Sequence, residues 1–181
     1  EGTVVEVHGM KATVLFHDTQ QRTRCRPPRD RTTPAVGDKV HVSKNRGEYR
    51  IESIVERERC LWRPKEHGRL LMASNVDKVI LVVAPEPRLK LMMVDRVLVA
   101  ADVHGIDVAI VMNKSDLASH EGVRESLALY EELGYECYGL SALTGEGVER
   151  LRQDLSVGMN VVIGQSGVGK STLLNALVPT A

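Results

Sequence analysis

The chain has 181 residues and a mass of 20.0 kDa, which is enough for one ordinary domain or two small ones. An apolar fraction of 43% excludes a wholly disordered chain, and the longest apolar run, residues 79–85, is too short to cross a bilayer. The net charge of zero hides an asymmetry, because residues 1–70 carry 15 Lys and Arg against 10 Asp and Glu, whereas residues 71–181 carry 9 against 14. A basic half suggests contact with a polyanion, and an uneven scatter of surface charge is the alternative.

The first 60 residues predict an all-β domain. Apolar and polar residues alternate in short runs, separated by turn signals such as Gly9-Met10, Pro27-Pro28 and Gly37-Asp38, and such alternation is typical of half-buried strands. The predicted strands are Gly2–His8, Lys11–His17, Gln21–Arg26, Lys39–Ser43 and Tyr49–Glu56. Five short strands with no helix suit a small closed barrel of the OB type, in which closure leaves no exposed edge.

A different pattern follows residues 61–73, which contain Pro64 and Gly68 and are predicted to be a linker. Over residues 74–181 apolar runs alternate with helical spacing, which predicts an α/β domain with a parallel sheet and right-handed crossovers. The predicted strands are Lys78–Ala84, Ile106–Met112, Glu136–Leu140 and Asn160–Ile163, and the predicted helices are residues 91–104, 121–133, 147–155 and 171–178. The expected inward positions are Leu91, Val94, Leu98 and Ala101 in the first helix and Leu127, Leu129, Tyr130 and Leu133 in the second.

A phosphate-binding loop is the clearest motif, since Gly164-Gln-Ser-Gly-Val-Gly-Lys-Ser171 fits G-x-x-x-x-G-K-[ST] at every fixed position. Glycines let backbone N–H groups turn toward phosphate oxygens, and the following helix presents its positive end to the anion. Lys170 is expected to reach the β- and γ-phosphates, and the Ser171 hydroxyl to bind Mg²⁺. The alternative is a Gly-rich turn without a ligand. The candidate residues are Gly164, Gln165, Ser166, Gly167, Val168, Gly169, Lys170, Ser171 and Thr172.

A base-reading motif, Asn113-Lys-Ser-Asp116, directly follows the predicted strand Ile106–Met112. An Asp116 carboxylate can accept hydrogen bonds from the ring N–H and amino group of guanine, while Asn113 meets the other edge of the base and the Lys114 stem covers its face. Adenine lacks that pair of donors and would leave the carboxylate unpaired. Alone, Asp116 could equally cap the next helix.

A third segment, Ser141-Ala-Leu143, ends the next predicted strand. Backbone N–H groups at Ser141 and Ala142 are candidates for contact with the guanine oxygen, and an ordinary capping loop is the alternative.

The order of these motifs is unusual, because Asn113 comes before Gly164. In ordinary guanine-nucleotide switches the phosphate loop comes first, so the chain looks like a circularly permuted GTPase. The four predicted strands can still form one contiguous sheet in this order. The switch segments and their Asp-x-x-Gly would follow Pro179, and we expect that the natural chain continues there, since the phosphate-loop strand would otherwise be an exposed apolar edge.

A barrel followed by a permuted GTPase resembles one family, the ribosome small-subunit-dependent GTPases known as RsgA or YjeQ. The matching segments are Gly2-Thr-Val-Val-Glu-Val7, Gly37-Asp-Lys-Val40, Leu61-Trp-Arg-Pro64, Ala73-Ser-Asn-Val-Asp77, Asn113-Lys-Ser-Asp-Leu117, Ser141-Ala-Leu-Thr-Gly145 and the phosphate loop. The resemblance implies a bacterial, cytoplasmic, monomeric protein that uses GTP, GDP and Mg²⁺, has no membrane partner, and acts late in assembly of the 30S subunit. It also implies binding to 16S rRNA near the decoding region and stimulation by the subunit.

The resemblance leaves two features unassigned. Family members carry zinc in a C-terminal domain, but no Cys/His cluster of that kind occurs in this sequence, so no zinc ligand is assigned. The family's switch residues are also absent, and no catalytic base is named beyond the positioning roles of Lys170 and Ser171.

Five arginines are the candidates for rRNA contact: Arg22, Arg24, Arg26, Arg29 and Arg31. The alternate positions of Arg22, Arg24 and Arg26 place three guanidinium groups on one face of a strand, where they can bind phosphates without reading sequence. A solvated edge that protects the strand is the alternative. The scarcity of aromatic residues argues against binding by base stacking.

Two other functions stay open: an RNA-binding factor with a structural guanine nucleotide, and a P-loop ATPase or kinase with an accidental Asn-Lys-Ser-Asp.

Overall fold

The protein consists of two compact units, Glu1–Val76 and Asp77–Ala181. A computed structural model describes residues 1–9, 11–30, 32–64, 66–118, 120–155 and 158–178.

The first unit contains a five-stranded antiparallel sheet in the order β3-β2-β1-β4-β5. Its strands are β1 (Gly2–His8), β2 (Lys11–Phe16), β3 (Arg22–Cys25), β4 (Lys39–Asn45) and β5 (Glu48–Ile54). The two outer strands meet through a parallel bridge, in which the Arg26 N–H donates to the Tyr49 carbonyl at 2.9 Å and the Ile51 N–H donates to the Arg26 carbonyl at 3.0 Å. The sheet therefore closes on itself as an OB-like barrel, as the alternating sequence predicts.

The barrel core comes from the inward positions of this alternation. Its buried residues are Val4, Ala12, Val14, Cys25, Val40 and Ile51. Gly2 is the position where a side chain is excluded, because a Cβ there would lie 2.5 Å from Val14 Cγ1 and 2.7 Å from the Leu15 carbonyl oxygen.

The predicted linker is instead a β hairpin that belongs to the first unit. Strands β6 (Leu61–Pro64) and β7 (Arg69–Ala73) pair antiparallel, with a register shift between Leu61 and Trp62. The Arg69 guanidinium lies 4.4 Å from the centre of the Trp62 ring. The register shift interrupts the alternation of apolar and polar residues that identifies a strand in the sequence. A cation–π pair between Arg69 and Trp62 also takes the place of a contact between apolar side chains. The sequence of this segment therefore resembles a polar linker.

A buried carboxylate joins this hairpin to the barrel. Asp38 is fully buried, and its oxygens accept hydrogen bonds from Arg57 Nε and Nη2 at 2.8 Å each, from the Ala35 N–H at 2.8 Å and from Ser74 Oγ at 2.6 Å. The hydrogen bond to Asp38 raises the pKa of Arg57 above its ordinary value. The network connects the loop before β4, the segment after β5 and the end of β7, so residues up to 76 fold with the barrel.

Asp38→Asn should lower the free energy of unfolding of the first unit by about 3–5 kcal/mol, because it leaves the Arg57 charge without its partner in a part-buried site. Fluorescence of Trp62, the one tryptophan in the chain, reports on this unit during denaturant unfolding. Asp18→Asn is the matched control, since the exposed Asp18 carboxylate only accepts the neighbouring Thr19 N–H. Equal midpoints for both variants would contradict the assignment.

The second unit is an α/β layer structure with one parallel sheet in the order β10-β9-β8-β11. Its strands are β8 (Lys78–Val83), β9 (Asp107–Met112), β10 (Glu136–Gly139) and β11 (Asn160–Gly164). Its helices are α1 (Leu91–Asp102), α2 (His120–Glu132), α3 (Val148–Asp154) and α4 (Lys170–Leu177). The four strands are contiguous, as the permuted order allows. Among the described residues no helix is long and apolar enough to span a bilayer.

Helices α1 and α2 each bury one side, but three residues that the sequence predicts to face inward are exposed. The α1 residues Val94, Leu98 and Ala101 are buried, whereas Leu91, the first residue of that helix, is 42% exposed. In α2 the buried residues are Val123, Leu127 and Tyr130, but the predicted Leu129 and Leu133 are 58% and 65% exposed. Leu129 follows Leu127 by two positions, about 200° around a helix, and so faces solvent.

Candidate nucleotide-binding site

The predicted nucleotide-binding residues lie at one edge of the parallel sheet, in three loops together with the last residue of β11 and the first turn of α4. The loops follow β9, β10 and β11, and the carboxyl ends of parallel strands are where open α/β sheets bind ligands. Long-range strand order therefore brings together segments that are distant in sequence.

The phosphate loop joins β11 to α4 in a conformation that requires glycine. Gly167 and Gly169 have φ of 86° and 89°, and a Cβ on Gly164 would lie 2.3 Å from the Val82 carbonyl oxygen. The first hydrogen bond across the start of α4 runs from the Leu173 N–H to the Gly169 carbonyl at 2.9 Å, so the N–H groups before Leu173 have no acceptor within the helix. This cradle fits an anionic phosphate chain.

Lys170 is positioned by the loop itself. Its Nζ donates to the Gly164 carbonyl at 3.0 Å and to the Gln165 carbonyl at 2.6 Å. An ammonium has three donors, so one of its hydrogens remains for a phosphate oxygen. Ser171 and Thr172 follow in the first turn of α4 with exposed side chains.

Asn113 holds the three loops together. It is 2% exposed, its Nδ2 donates to the Val168 carbonyl at 2.9 Å, and its Oδ1 accepts the Ala142 N–H at 2.9 Å. A Cβ on Gly169 would lie 2.3 Å from Asn113 Nδ2, so glycine is also needed there for this close approach. One N–H of the amide remains for the base edge that the sequence assigns to it.

The base-reading residues beside Asn113 are more exposed. Asp116 lies outside any helix, because α2 begins at His120, and its helix-cap interpretation finds no support. Its carboxylate is exposed and makes no hydrogen bond or ion pair to the described residues. Lys114 has a φ of 63°, and the Ser115 N–H donates to the Leu140 carbonyl at 3.1 Å, which fixes the loop to β10.

The loop after β10 is ordered by its own polar groups. Ser141 is fully buried, and its Oγ accepts the Thr144 N–H at 3.2 Å. The Ala142 N–H is already engaged by Asn113, so a guanine oxygen would share that donor. Leu143, the next residue, is 81% exposed and makes no hydrogen bond to the described residues, which leaves its N–H accessible.

Sequence reasoning missed a fourth loop at this edge, the segment after β8. Lys114 Nζ donates to the Glu86 carbonyl at 2.8 Å, and Pro87 Cδ lies 3.6 Å from where a Cβ on Gly167 would stand. The sequence contained a signal for this loop, because the loop directly follows the carboxyl end of the buried parallel strand β8.

Four of the five predicted rRNA-binding arginines lie within the described residues, and all four are exposed. Arg22 and Arg24 are exposed on β3, Arg26 forms an ion pair with Glu48, and Arg29 is exposed in the following loop. Arg31 lies outside the described residues.

Lys170→Ala should weaken GDP and GTP binding about tenfold or more, because a charge-assisted contact to phosphate contributes ~1.5–3 kcal/mol. Equilibrium titration with a fluorescent nucleotide measures the change. Arg124→Ala, which removes one exposed positive charge from α2, is the control and should bind normally. Equal affinities for both variants would remove Lys170 from the phosphate site.

Comparisons with known proteins identify relatives of this chain. A family model described as RsgA GTPase matches residues 54–181. The chain is 40% identical over 190 residues to the small ribosomal subunit biogenesis GTPase RsgA of Actinobacillus pleuropneumoniae serotype 5b (strain L20), covering 99% of this chain and 54% of the relative. The chain thus spans about half the length of the curated relatives it matches.

Two solved structures have the same fold. YjeQ from Thermotoga maritima is 32% identical with a TM-score of 0.80, covering 99% of this chain and 65% of that one. YloQ, described as a circularly permuted GTPase, is 28% identical with a TM-score of 0.74, covering 98% and 64%. Because the family model covers residues 54–181, which is more than half of the chain, the chain belongs to the RsgA GTPase family.

Proposed function

We propose that this protein binds guanine nucleotide, hydrolyses GTP to GDP, and acts in maturation of the small ribosomal subunit. The observation that carries the proposal is the Asn113 amide, which links the phosphate loop to the loop after β10. One buried side chain thereby connects a loop suited to phosphate with the loops suited to the base.

In this function each loop has a separate task. The backbone N–H groups of residues 164–171 and the Lys170 ammonium bind the phosphates. The Asp116 carboxylate accepts the two adjacent donors of guanine, and the Lys114 stem lies along the base while its Nζ remains anchored to the Glu86 carbonyl. The remaining amide N–H of Asn113 and the accessible Leu143 N–H meet the other edge of the base. The Ala142 N–H is shared with Asn113 Oδ1, and the predicted Ser141 N–H already donates to the Glu146 carbonyl at 3.0 Å.

Magnesium fits the same site through Ser171. Its exposed hydroxyl stands in the first turn of α4, directly after the glycine-containing phosphate loop. Ser171 would hold the ion, which neutralises charge on the phosphates when bound. The residues of this chain then orient the nucleotide, and no catalytic base is assigned to them.

The proposed partner is the small ribosomal subunit, through 16S rRNA. The relatives' name, small ribosomal subunit biogenesis GTPase, supports the subunit as partner, and the excess of Lys and Arg in residues 1–70 supports RNA contact by the first unit. We extend this to a cytoplasmic, monomeric protein whose turnover the subunit stimulates.

The deciding experiment is phosphate release from GTP by the full-length protein with and without purified 30S subunits. Stimulated release of phosphate from GTP, with ATP unable to compete, is the expected result. Tight GTP binding without release in either condition would favour a structural nucleotide instead, and equal competition by ATP would favour a P-loop ATPase.

A further inference from the structure

Two adjoining grooves on the first unit meet at the seam where β3 approaches β5. The first, of about 500 Å³, is lined in part by Lys11, Arg24, Arg26 and Glu48. The second, of about 350 Å³, is lined in part by Arg29, Arg46 and Arg50. Arg26 and Glu48 line both, and we refer to the pair of cavities as the seam grooves.

Positive charge dominates the seam grooves. They are lined by six cationic side chains and by two carboxylates, Glu48 and Glu52. Glu52 already accepts a hydrogen bond from Ser43 Oγ at 2.6 Å, and Arg50 Nη1 donates to the Pro27 carbonyl at 3.0 Å. Arg29 and Arg46 make no ion pair to the described residues, so their guanidinium groups are available to an anion.

The junction between the grooves is an exposed ion pair. Arg26 Nη2 contacts Glu48 Oε1, and the two side chains are 54% and 60% exposed. Exposed pairs contribute little to stability, typically below about 1 kcal/mol. An arriving phosphate can therefore replace the carboxylate with little loss, since arginine binds both groups in the same forked geometry.

From these observations, and resting on the rRNA binding proposed above, we propose that the seam grooves bind an RNA phosphodiester backbone and that Glu48 competes with RNA phosphate for Arg26. In the free protein Glu48 occupies the guanidinium at the junction. In the complex a backbone phosphate takes its place, and the remaining negative charge of Glu48 limits the affinity.

The lining favours RNA backbone over stacked bases. The three aromatic rings of the first unit are engaged: Phe16 and Tyr49 pack with centroids 5.6 Å apart, Lys44 Nζ lies 5.1 Å from the Tyr49 ring, and Arg69 covers Trp62. The second groove is lined only by charged and polar side chains. A surface of this kind contacts phosphates and reads shape rather than bases.

The test uses the full-length protein and a 16S rRNA transcript, titrated over a series of salt concentrations. Glu48→Gln should tighten binding by about two- to fivefold at low salt, because it removes a charge that opposes the phosphate. Glu132→Gln, an exposed glutamate on α2, removes the same charge from the second unit and should have no effect. Arg26→Gln in the Glu48→Gln background should abolish the gain.

A second pair of variants locates the contact. The double variant Arg29→Gln/Arg46→Gln should reduce the slope of the logarithm of the binding constant against the logarithm of the salt concentration by about two, one for each lost phosphate contact. Arg124→Gln, on α2 of the second unit and outside both grooves, should change it much less. Unfolding midpoints and GDP affinity should stay at the wild-type values in all of these variants.

The outcomes separate the two proposals. RNA binding that is unchanged in Glu48→Gln and in the Arg29/Arg46 variant would overturn the seam-groove proposal and leave the proposed function standing. A wild-type protein that binds no 16S rRNA would overturn both. If polyglutamate displaces the transcript at equal charge concentration, the partner of the seam grooves would be an acidic protein and not RNA.

Discussion

Asp116→Asn should convert a site for guanine into one that prefers xanthine, with a loss of GTP affinity of about 100-fold or more. The carboxylate is exposed and has no partner among the described residues, so its hydrogen-bonding capacity is free for the base. Two charge-assisted hydrogen bonds at ~1.5–3 kcal/mol each give ~3 kcal/mol at least, which corresponds to two powers of ten. Xanthine carries a carbonyl where guanine has its amino group, and the Asn side chain can donate to it.

Competition of GDP, XDP and ADP against a fluorescent nucleotide measures this change. Asp102→Asn, at the end of α1 and away from the three loops, removes the same charge and should keep the preference for GDP. An Asp116→Asn variant that is folded and still prefers GDP would show that another group reads the base.

Much of the fold follows from local patterns in the sequence. The barrel strands and the α/β elements lie within a few residues of their predicted positions, because alternation and helical spacing directly reflect which side of each element is buried. The β6–β7 hairpin has no such pattern. Its bulge at Leu61/Trp62 and its dependence on the distant Asp38 leave no local periodicity to detect.

For the candidate site too, some features follow from the sequence and others do not. Its residues are predicted by motif, since phosphate and guanine require particular side chains at fixed spacing. The contacts between these residues are not predicted by the motifs, because the contacts depend on the order of the strands in the sheet. The bonds from Asn113 to Val168 and Ala142 span 55 and 29 residues, and the bond from Lys114 to Glu86 spans 28. Local reasoning therefore assigns Asn113 to the base alone, whereas the structure also gives it a connecting role.

This connecting role leads to a second large expected effect, for Asn113→Ala. The substitution leaves the Val168 carbonyl and the Ala142 N–H without their buried partner, and each unsatisfied group costs ~1–3 kcal/mol. The loops after β9, β10 and β11 then lose their common anchor. We expect GDP affinity to fall by about 100-fold or more, with a lower free energy of unfolding of the second unit.

The three substitutions are distinguished by whether the protein binds the phosphates, the guanine base or both less tightly. Lys170→Ala should weaken a ligand that carries only phosphates, such as tripolyphosphate, and Asp116→Asn should weaken only ligands that carry guanine. Asn113→Ala should weaken both, because it disturbs the phosphate cradle through Val168 and the base loop through Ala142. Ser115→Ala is the control, since the contact of Ser115 with β10 is made by its backbone N–H and survives the change.

Titrations of GDP and tripolyphosphate against the four variants, in parallel with thermal unfolding, test this scheme. If tripolyphosphate binds Asn113→Ala as tightly as it binds the wild type, then the amide acts on the base alone and the cradle is held by its glycines. If both ligands weaken while Ser115→Ala behaves as wild type, a single buried amide couples the two halves of the site. Such coupling has a physical basis in this chain, because β8 lies between β9 and β11 in the sheet and the Asn113 side chain, which follows β9, reaches the Val168 carbonyl in the loop after β11.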